Sequence, residues 1–289
     1  MSASVHLLAP AKVNFTLEVL GKRGDGYHEV RLLMAGVSLF DELTFKPAKA
    51  LSLTCDMDGL DLGPGNLVMK AARAMQRAAG EERGAHIHLK KRIPLGGGLA
   101  GGSTDAAATL KGLNTLWGLK LKPAVLHKLA AGIGSDVPFC LESGWAIATG
   151  RGEKLKPQSL RRKLWLVLAN PGFEVSTKWA YQSIATVRRN TRNLSRNAFE
   201  AIQAKDIKAL ERAAVNDLEP VTAGRYTEIN HLKSLMRETG AIFSRMSGSG
   251  PTVMGLFENE ADAKSAYNII KNHVAVAVWV STIGSIPKA

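Results

Sequence analysis

The sequence predicts an α+β chain of two domains with a cleft between them, and three observations carry that prediction. The chain has 289 residues, and single hydrophobic cores stop growing at roughly 250–300 residues. Stretches of period-two alternation (Val13 to Val19, His86 to Leu89) are interspersed with helical stretches (Leu67 to Ala79, Ala106 to Trp117), without the even spacing of repeated βαβ units. Between Gly150 and Lys163 the sequence turns polar and basic around Pro157. That composition marks a boundary near Lys156, dividing the chain into 1–156 and 157–289.

Taken in order, Val13, Phe15, Leu17 and Val19 alternate with polar residues, so Lys12, Asn14, Thr16 and Glu18 share one face of a strand. Gly24, Asp25 and Gly26 form a turn, and Tyr27 and His28 open a second extended stretch into Leu32 and Leu33, which predicts a hairpin. Asn66 reads as the N-cap of a helix over Leu67 to Ala79, and Gly80 as its stop. A strand from His86 to Leu89 runs into a glycine-dense turn from Ile93 to Gly102, then a helix from Ala106 to Trp117. Pro123 suits the first turn of a helix over Ala124 to Ala131, and Trp145 to Thr149 reads as a strand. The second half predicts strands at Leu164 to Ala169, Ile242 to Met246, Val253 to Phe257 and Val274 to Val280. Its helices fall near Thr177 to Ile184, Ile207 to Val215, Glu228 to Glu238 and Ala261 to Lys271.

Composition narrows the function classes. A hydrophobic content of 45% with 22% charged residues is that of a globular chain able to bury a core. No apolar run approaches the roughly 18 residues of a membrane span, and Met1 to Pro10 lacks a signal-peptide pattern, so a cytoplasmic protein without a membrane partner is expected. Cys55 and Cys140 stand far apart, which argues against a disulfide framework or a cysteine metal site. The formal charge of +13 favours anionic partners: nucleic acid, lipid or small polyphosphates. The basic clusters Lys90-Lys91-Arg92, Arg161-Arg162-Lys163 and Arg188-Arg189 lack the interleaved aromatics of a strand-binding groove, and solvated surface charge explains them. No nucleic-acid partner is therefore expected. Lys91 stands apart because it directly precedes the glycine turn. Oligomeric state is open, with a monomer or weak homodimer as the expectation.

The turn itself comprises Pro94, Leu95, Gly96, Gly97, Gly98, Leu99, Ala100, Gly101, Gly102, Ser103 and Thr104. Five glycines ahead of a helix free backbone N–H groups to approach an anion, and the helix start adds its positive dipole end. A Walker A loop would need a lysine where Gly102 precedes Ser103. Gly96, Gly98 and Gly101 match a dinucleotide fingerprint by spacing, but residues 120–124 lack the acid that the fingerprint requires. A turn without a ligand is the alternative, at an entropic cost for five glycines that packing does not return.

This turn resembles the nucleotide loop of the GHMP kinases, the superfamily of galactokinase, homoserine kinase and mevalonate kinase. Pro10-Ala-Lys-Val-Asn14 resembles the family's first motif, Gly134-Ser-Asp-Val-Pro138 its acidic motif, and Ser247-Gly-Ser-Gly-Pro-Thr-Val253 its last glycine motif. Arg23-Gly-Asp-Gly-Tyr-His28 is similar to the branch whose acceptor is a cytidine diphosphate-linked polyol. It argues against the branches acting on homoserine or mevalonate.

The resemblance implies an ATP-dependent kinase with Mg²⁺, in a GHMP kinase-like fold whose cleft lies between an amino-terminal α/β domain and a ferredoxin-like carboxy-terminal domain. It implies Lys12 and Asp136 as catalytic residues, and Asn14, Tyr27, His28 and Tyr181 around the acceptor. Asn66, Lys91 and the turn from Pro94 to Thr104 would lie near the nucleotide. Asp136 would accept the proton of the attacking hydroxyl, with Lys12 keeping it ionised. Tyr27 and Tyr181 would stack on cytosine while His28 bonds to it.

Taken singly, the same residues have plainer readings. Asp136 also suits a helix N-cap, Lys12 a solvated strand position, and Tyr27 and Tyr181 a core. Ser103 or Thr104 could cap the helix, contact phosphate or touch Mg²⁺, and Asp105 suits the helix dipole. With no carboxylate cluster in sight, Mg²⁺ is expected to arrive with ATP, and no protein metal ligands are assigned. The glycines from Ser247 to Pro251 suit either the cleft or a tight strand connection. A nucleic-acid-binding module is the rival of another class.

Overall fold

The computed structural model describes residues 4–81, 83–184 and 193–283. The alternation near the amino terminus becomes a long antiparallel hairpin of β1 (Val5–Lys22) and β2 (His28–Pro47), paired from Val5↔Phe45 to Lys22↔His28. Its turn is set by Gly26 at φ 84° and by Asp25, whose carboxylate accepts the Tyr27 N–H at 3.1 Å. The strand is far longer than Val13 to Val19, because both of its faces are buried and alternation vanishes at Ala9, Pro10 and Ala11. For the same reason the expected polar face is not solvated: Lys12, Asn14, Thr16 and Glu18 are 5%, 1%, 0% and 1% exposed.

β3 (Leu51–Cys55), α1 (Leu67–Ala79) and β4 (Ala85–Lys90) follow. α1 has the expected ends: the Asn66 side chain accepts from the Val68 N–H, and Gly80 closes it at φ 70°. Then come α2 (Gly101–Leu116), α3 (Pro123–Ile133), α4 (Val137–Glu142), β5 (Trp145–Thr149) and β6 (Lys154–Gln158). β1 takes one edge of β2, while β4 and β5 take successive stretches of the other, giving a sheet ordered β3-β4-β2-β5-β6.

The chain then builds a second, antiparallel sheet. In chain order the elements are β7 (Trp165–Asn170), α5 (Thr177–Gln182), α6 (Leu194–Ala204), α7 (Ile207–Ala213), α8 (Glu219–Arg225), α9 (Glu228–Glu238), β8 (Phe243–Met246), β9 (Val253–Phe257), α10 (Glu260–Ile270) and β10 (Val276–Ser281). The order across that sheet is β10-β7-β9-β8.

The chain passes from one sheet to the other between Gln158 and Trp165, with Lys156 inside β6. Phe15 of β1 stacks on Trp145 at 5.1 Å and on Phe243 of β8 at 6.4 Å, so the sheets share apolar packing. Division into domains 1–156 and 157–289 accordingly stays a proposal drawn from sequence. The short elements β3, β6, α4 and α8 offer too few residues for a periodic signal, and Arg188-Arg189 lies outside the described residues.

Candidate active site

The glycine turn connects β4 to α2. Gly96 and Gly98 adopt left-handed φ of 56° and 74°, and Ala100, at φ 58°, is the N-cap of α2 without any side-chain cap. α2 therefore begins at Gly101, earlier than expected. Ser103 and Thr104 sit inside its first turn, and neither caps it. The first N–H groups of a 16-residue helix are thus left without a side-chain cap.

The turn is held from the other half of the chain. A Cβ on Gly98 would lie 2.2 Å from the Ser247 carbonyl oxygen, so only glycine permits this approach. The Ser247 hydroxyl donates to the Gly98 carbonyl at 3.1 Å and accepts from the Asn14 N–H at 3.1 Å. The Lys12 N–H donates to the Leu99 carbonyl at 3.1 Å, tying β1 to the turn. The Ser247 to Pro251 glycines are the β8–β9 connection and a wall of the cleft at once, with Gly248 and Ser249 on the cavity surface.

A cavity of about 750 Å³ opens over the turn. Pro94, Leu95, Gly96, Gly97, Gly98, Ala100, Gly101, Gly102 and Ser103 form one side of it. Lys12, Asn14, Tyr27, His28, Asp136 and Tyr181 face it from elsewhere in the chain. Leu99 and Thr104 do not line it; both are buried at 1% exposure. Asn66 lies just outside, its side chain spent on capping α1 and donating to the Asp61 carbonyl at 2.7 Å. Lys91 is also outside: its ammonium is buried beneath the turn between Asp41 and Asp105.

The Lys12 ammonium donates to Asn14 Oδ1 at 2.6 Å and lies 3.4 Å from Asp136 Oδ2. Asp136 does occupy the N-cap position of α4, yet its carboxylate makes no cap hydrogen bond and is paired with Lys12 instead. Asn14 Nδ2 is buried without a protein partner, a donor left available beside the pair.

At the far end, His28 stacks on Tyr181 with ring centroids 5.2 Å apart, and the Arg151 guanidinium lies 4.7 Å over the half-exposed Tyr27 ring. Tyr27 and Tyr181 thus sit in two separate pairs, both on the cavity surface. Burial, and then the charge of Lys22, lower the His28 pKa, favouring a neutral ring that can both donate and accept. Burial and the nearby Asp136 raise that of Tyr181, keeping its hydroxyl protonated. Arg151 was hidden in the stretch read as a domain boundary. Its signal is the pair of flanking glycines, Gly150 and Gly152, at φ 76° and 113°.

Asp105 departs from the helix-dipole reading. Its carboxyl is 2% exposed, bonded to Lys91, and pushed up to about 8 by burial against the lowering effect of Lys91. Among the described residues no group of three metal-ligating side chains occurs. The turn fits a polyphosphate: its left-handed backbone and the uncapped start of α2 offer N–H groups with no cation required.

Comparison with known proteins identifies the family. Models of the GHMP kinases N terminal domain and the GHMP kinases C terminal domain match residues 66–144 and 198–276. The chain is 42% identical to the 4-diphosphocytidyl-2-C-methyl-D-erythritol kinase of Geobacter sp. (strain M21) over 91% of its length and 92% of the relative's. It is 41% identical to that of Citrifermentans bemidjiense over 96% and 99%. A crystal structure of 4-(cytidine 5'-diphospho)-2C-methyl-D-erythritol kinase superimposes with a TM-score of 0.80 at 34% identity, covering 97% of this chain and 100% of the other. Homoserine kinase from Cytophaga hutchinsonii, with a TM-score of 0.78 at 19% identity, shares the fold. The chain belongs to the 4-diphosphocytidyl-2-C-methyl-D-erythritol kinase family of the GHMP kinases.

Proposed function

We propose that the chain transfers the γ-phosphoryl group of ATP to the 2-hydroxyl of 4-diphosphocytidyl-2-C-methyl-D-erythritol, a step in making isoprenoid precursors. The observation that carries the assignment of roles is the Lys12–Asp136 pair, 3.4 Å apart, on the cavity between the glycine turn and the His28–Tyr181 stack. ATP with Mg²⁺, when bound, would supply an electrophilic γ-phosphorus, with the negative charge of the phosphate oxygens partly offset by the metal.

The chain's own residues do the rest. N–H groups of the turn and of the α2 start hold phosphate oxygens. Asp136 accepts the proton of the acceptor hydroxyl at Oδ1 or Oδ2, and the Lys12 ammonium beside it offsets charge on the transferring group. Asn14 contributes its unpartnered Nδ2 donor to the acceptor's oxygens, while Tyr27, His28 and Tyr181 hold the cytosine. Mg²⁺ comes with ATP. A cytoplasmic monomer or weak homodimer is proposed with this reading. Among the described residues no helix is long and apolar enough to cross a membrane.

An ADP-release assay across candidate alcohols tests the assignment. ADP is expected with 4-diphosphocytidyl-2-C-methyl-D-erythritol and at background with homoserine or mevalonate. Turnover of those alcohols at comparable rates, or no turnover at all with tight, salt-sensitive binding of DNA or RNA, overturns it.

A further inference from the structure

Lys91 directly precedes the turn in sequence, yet its ammonium points away from the cavity. The side chain is 1% exposed, and Nζ donates to Asp41 Oδ2 at 2.5 Å and to Asp105 Oδ2 at 2.8 Å. These carboxylates come from separate elements: Asp41 from β2, Asp105 from the first turns of α2. Asp41 also uses Oδ1 to accept the N–H groups of Arg92 at 2.6 Å and Ile93 at 2.9 Å, the residues that lead into the turn. Asp56 Oδ1 accepts the Lys91 N–H at 2.8 Å. A Cβ on Gly101 would meet Lys91 Nζ at 3.2 Å, so the ammonium lies directly under the residue where α2 begins.

One buried ammonium therefore joins β2, the chain entering the turn, and the helix start. Buried ion pairs of this kind add little net stability over apolar packing of the same volume, because desolvation offsets the attraction. Directional hydrogen bonds do what apolar packing does not: they fix the register and tilt of one element against another.

We propose that Lys91, Asp41 and Asp105 form a buried brace that sets where the N-terminus of α2 meets the ATP phosphates. Lys91 is a positioning residue, acting on ATP through the backbone and not by contact. The inference rests on the reading that the glycine turn holds ATP, where a displacement of about 1 Å can cost up to 10²-fold.

The test compares Asp105→Ala with Asp105→Asn in the full-length protein, using the dissociation constant of ATP measured by calorimetry without acceptor, together with Tm. Both variants leave Lys91 paired with Asp41. Asp105→Ala is expected to weaken ATP roughly tenfold with the KM of the acceptor unchanged. Asp105→Asn, which keeps an oxygen facing Lys91, is expected to stay within about threefold of the parent. Parent-like ATP affinity in a folded Asp105→Ala overturns the brace, as does equal weakening in both variants. Should Asp105→Ala not fold, Lys91→Met combined with Asp41→Asn and Asp105→Leu removes all three ionisable groups at similar volume and leaves an oxygen at position 41 for the Arg92 and Ile93 N–H groups. That variant is expected to fold with ATP still weakened about tenfold, and parent-like affinity in it overturns the brace equally. Gly102→Asp separates this failure from failure of the underlying reading. An acid on the exposed first turn of α2 suits the helix dipole but repels phosphate, so unchanged ATP affinity there overturns the glycine-turn assignment itself.

Discussion

The two ends of the cleft are built differently. At the end proposed to hold phosphate the surface is largely backbone: a turn with left-handed residues at Gly96, Gly98 and Ala100, held in place by Ser247, Lys12 and the buried Lys91. At the end proposed to hold the acceptor it is side chains on a hairpin turn, a short helix and a β5–β6 connection, with Tyr27 half exposed under Arg151 and His28 stacked on Tyr181. Backbone N–H groups recognise phosphate whatever the acceptor, so on the proposed reading the first end depends on the fold. Side chains can change without moving the chain, so on that reading the second end would carry the choice of acceptor.

Lys12 and Asp136 lie where the ends meet, and the largest effect is expected there. Asp136→Asn should lower kcat by roughly 10²–10⁴ while the ATP dissociation constant stays near that of the parent, since on the proposed reading only the proton acceptor is lost. Steady-state kinetics with calorimetry checks it; near-normal kcat removes Asp136 from the mechanism.

Gly98→Ala attacks the backbone-built end, where the added methyl meets the Ser247 carbonyl at 2.2 Å and the φ of 74° disfavours a side chain. A loss of about 1–3 kcal/mol in a denaturant titration is expected, with weakened ATP binding. An unchanged midpoint would mean that the two glycine motifs are not interlocked in solution.

His28→Ala attacks the other end. The KM of the acceptor should rise roughly tenfold with the KM of ATP unmoved, because on the proposed reading the ring, stacked on Tyr181, contacts cytosine and not ATP. Equal changes in both constants would erase the division between the ends.

The smallest effect concerns pH. The folded chain holds the Asp105 proton up to about 8, far above the ordinary 3.8, because burial beside Asp41 outweighs Lys91. A folded-state pKa raised in this way gives stability that is fully present below the ordinary value. It is lost as pH rises through about 8. Tm followed from pH 6 to 9 should fall for the parent and fall less steeply for Asp105→Asn; identical slopes would remove Asp105 as the source.

Most long, periodic or punctuated segments were legible in the sequence, although α6, eleven residues capped by Asn193, was not among those expected. α1 was, because Asn66 and Gly80 satisfy its ends locally, and so was α9, spanning Glu228–Glu238 as its pattern indicates. α4 and β6 were not, being short elements that exist through what they pack against. The site divides along the same line. Asp136 and the N-cap of α4 share one position, and sequence alone could not separate a capping aspartate from one paired with a lysine more than a hundred residues away.

By itself the sequence determined a glycine turn with free backbone donors, since five glycines before a helix leave those donors available wherever the turn ends up. Its motifs, taken with the relatives they resemble, determined the family. Only the tertiary structure decided that Lys91 lies beneath the turn and not in the cleft, that His28 and not Tyr27 stacks on Tyr181, and that Asp105 shares a buried ammonium with Asp41. The physical reason is reach: a backbone conformation is written in neighbouring residues, whereas the partner of a buried charge or ring is whatever distant element the core brings within about 3 Å of it.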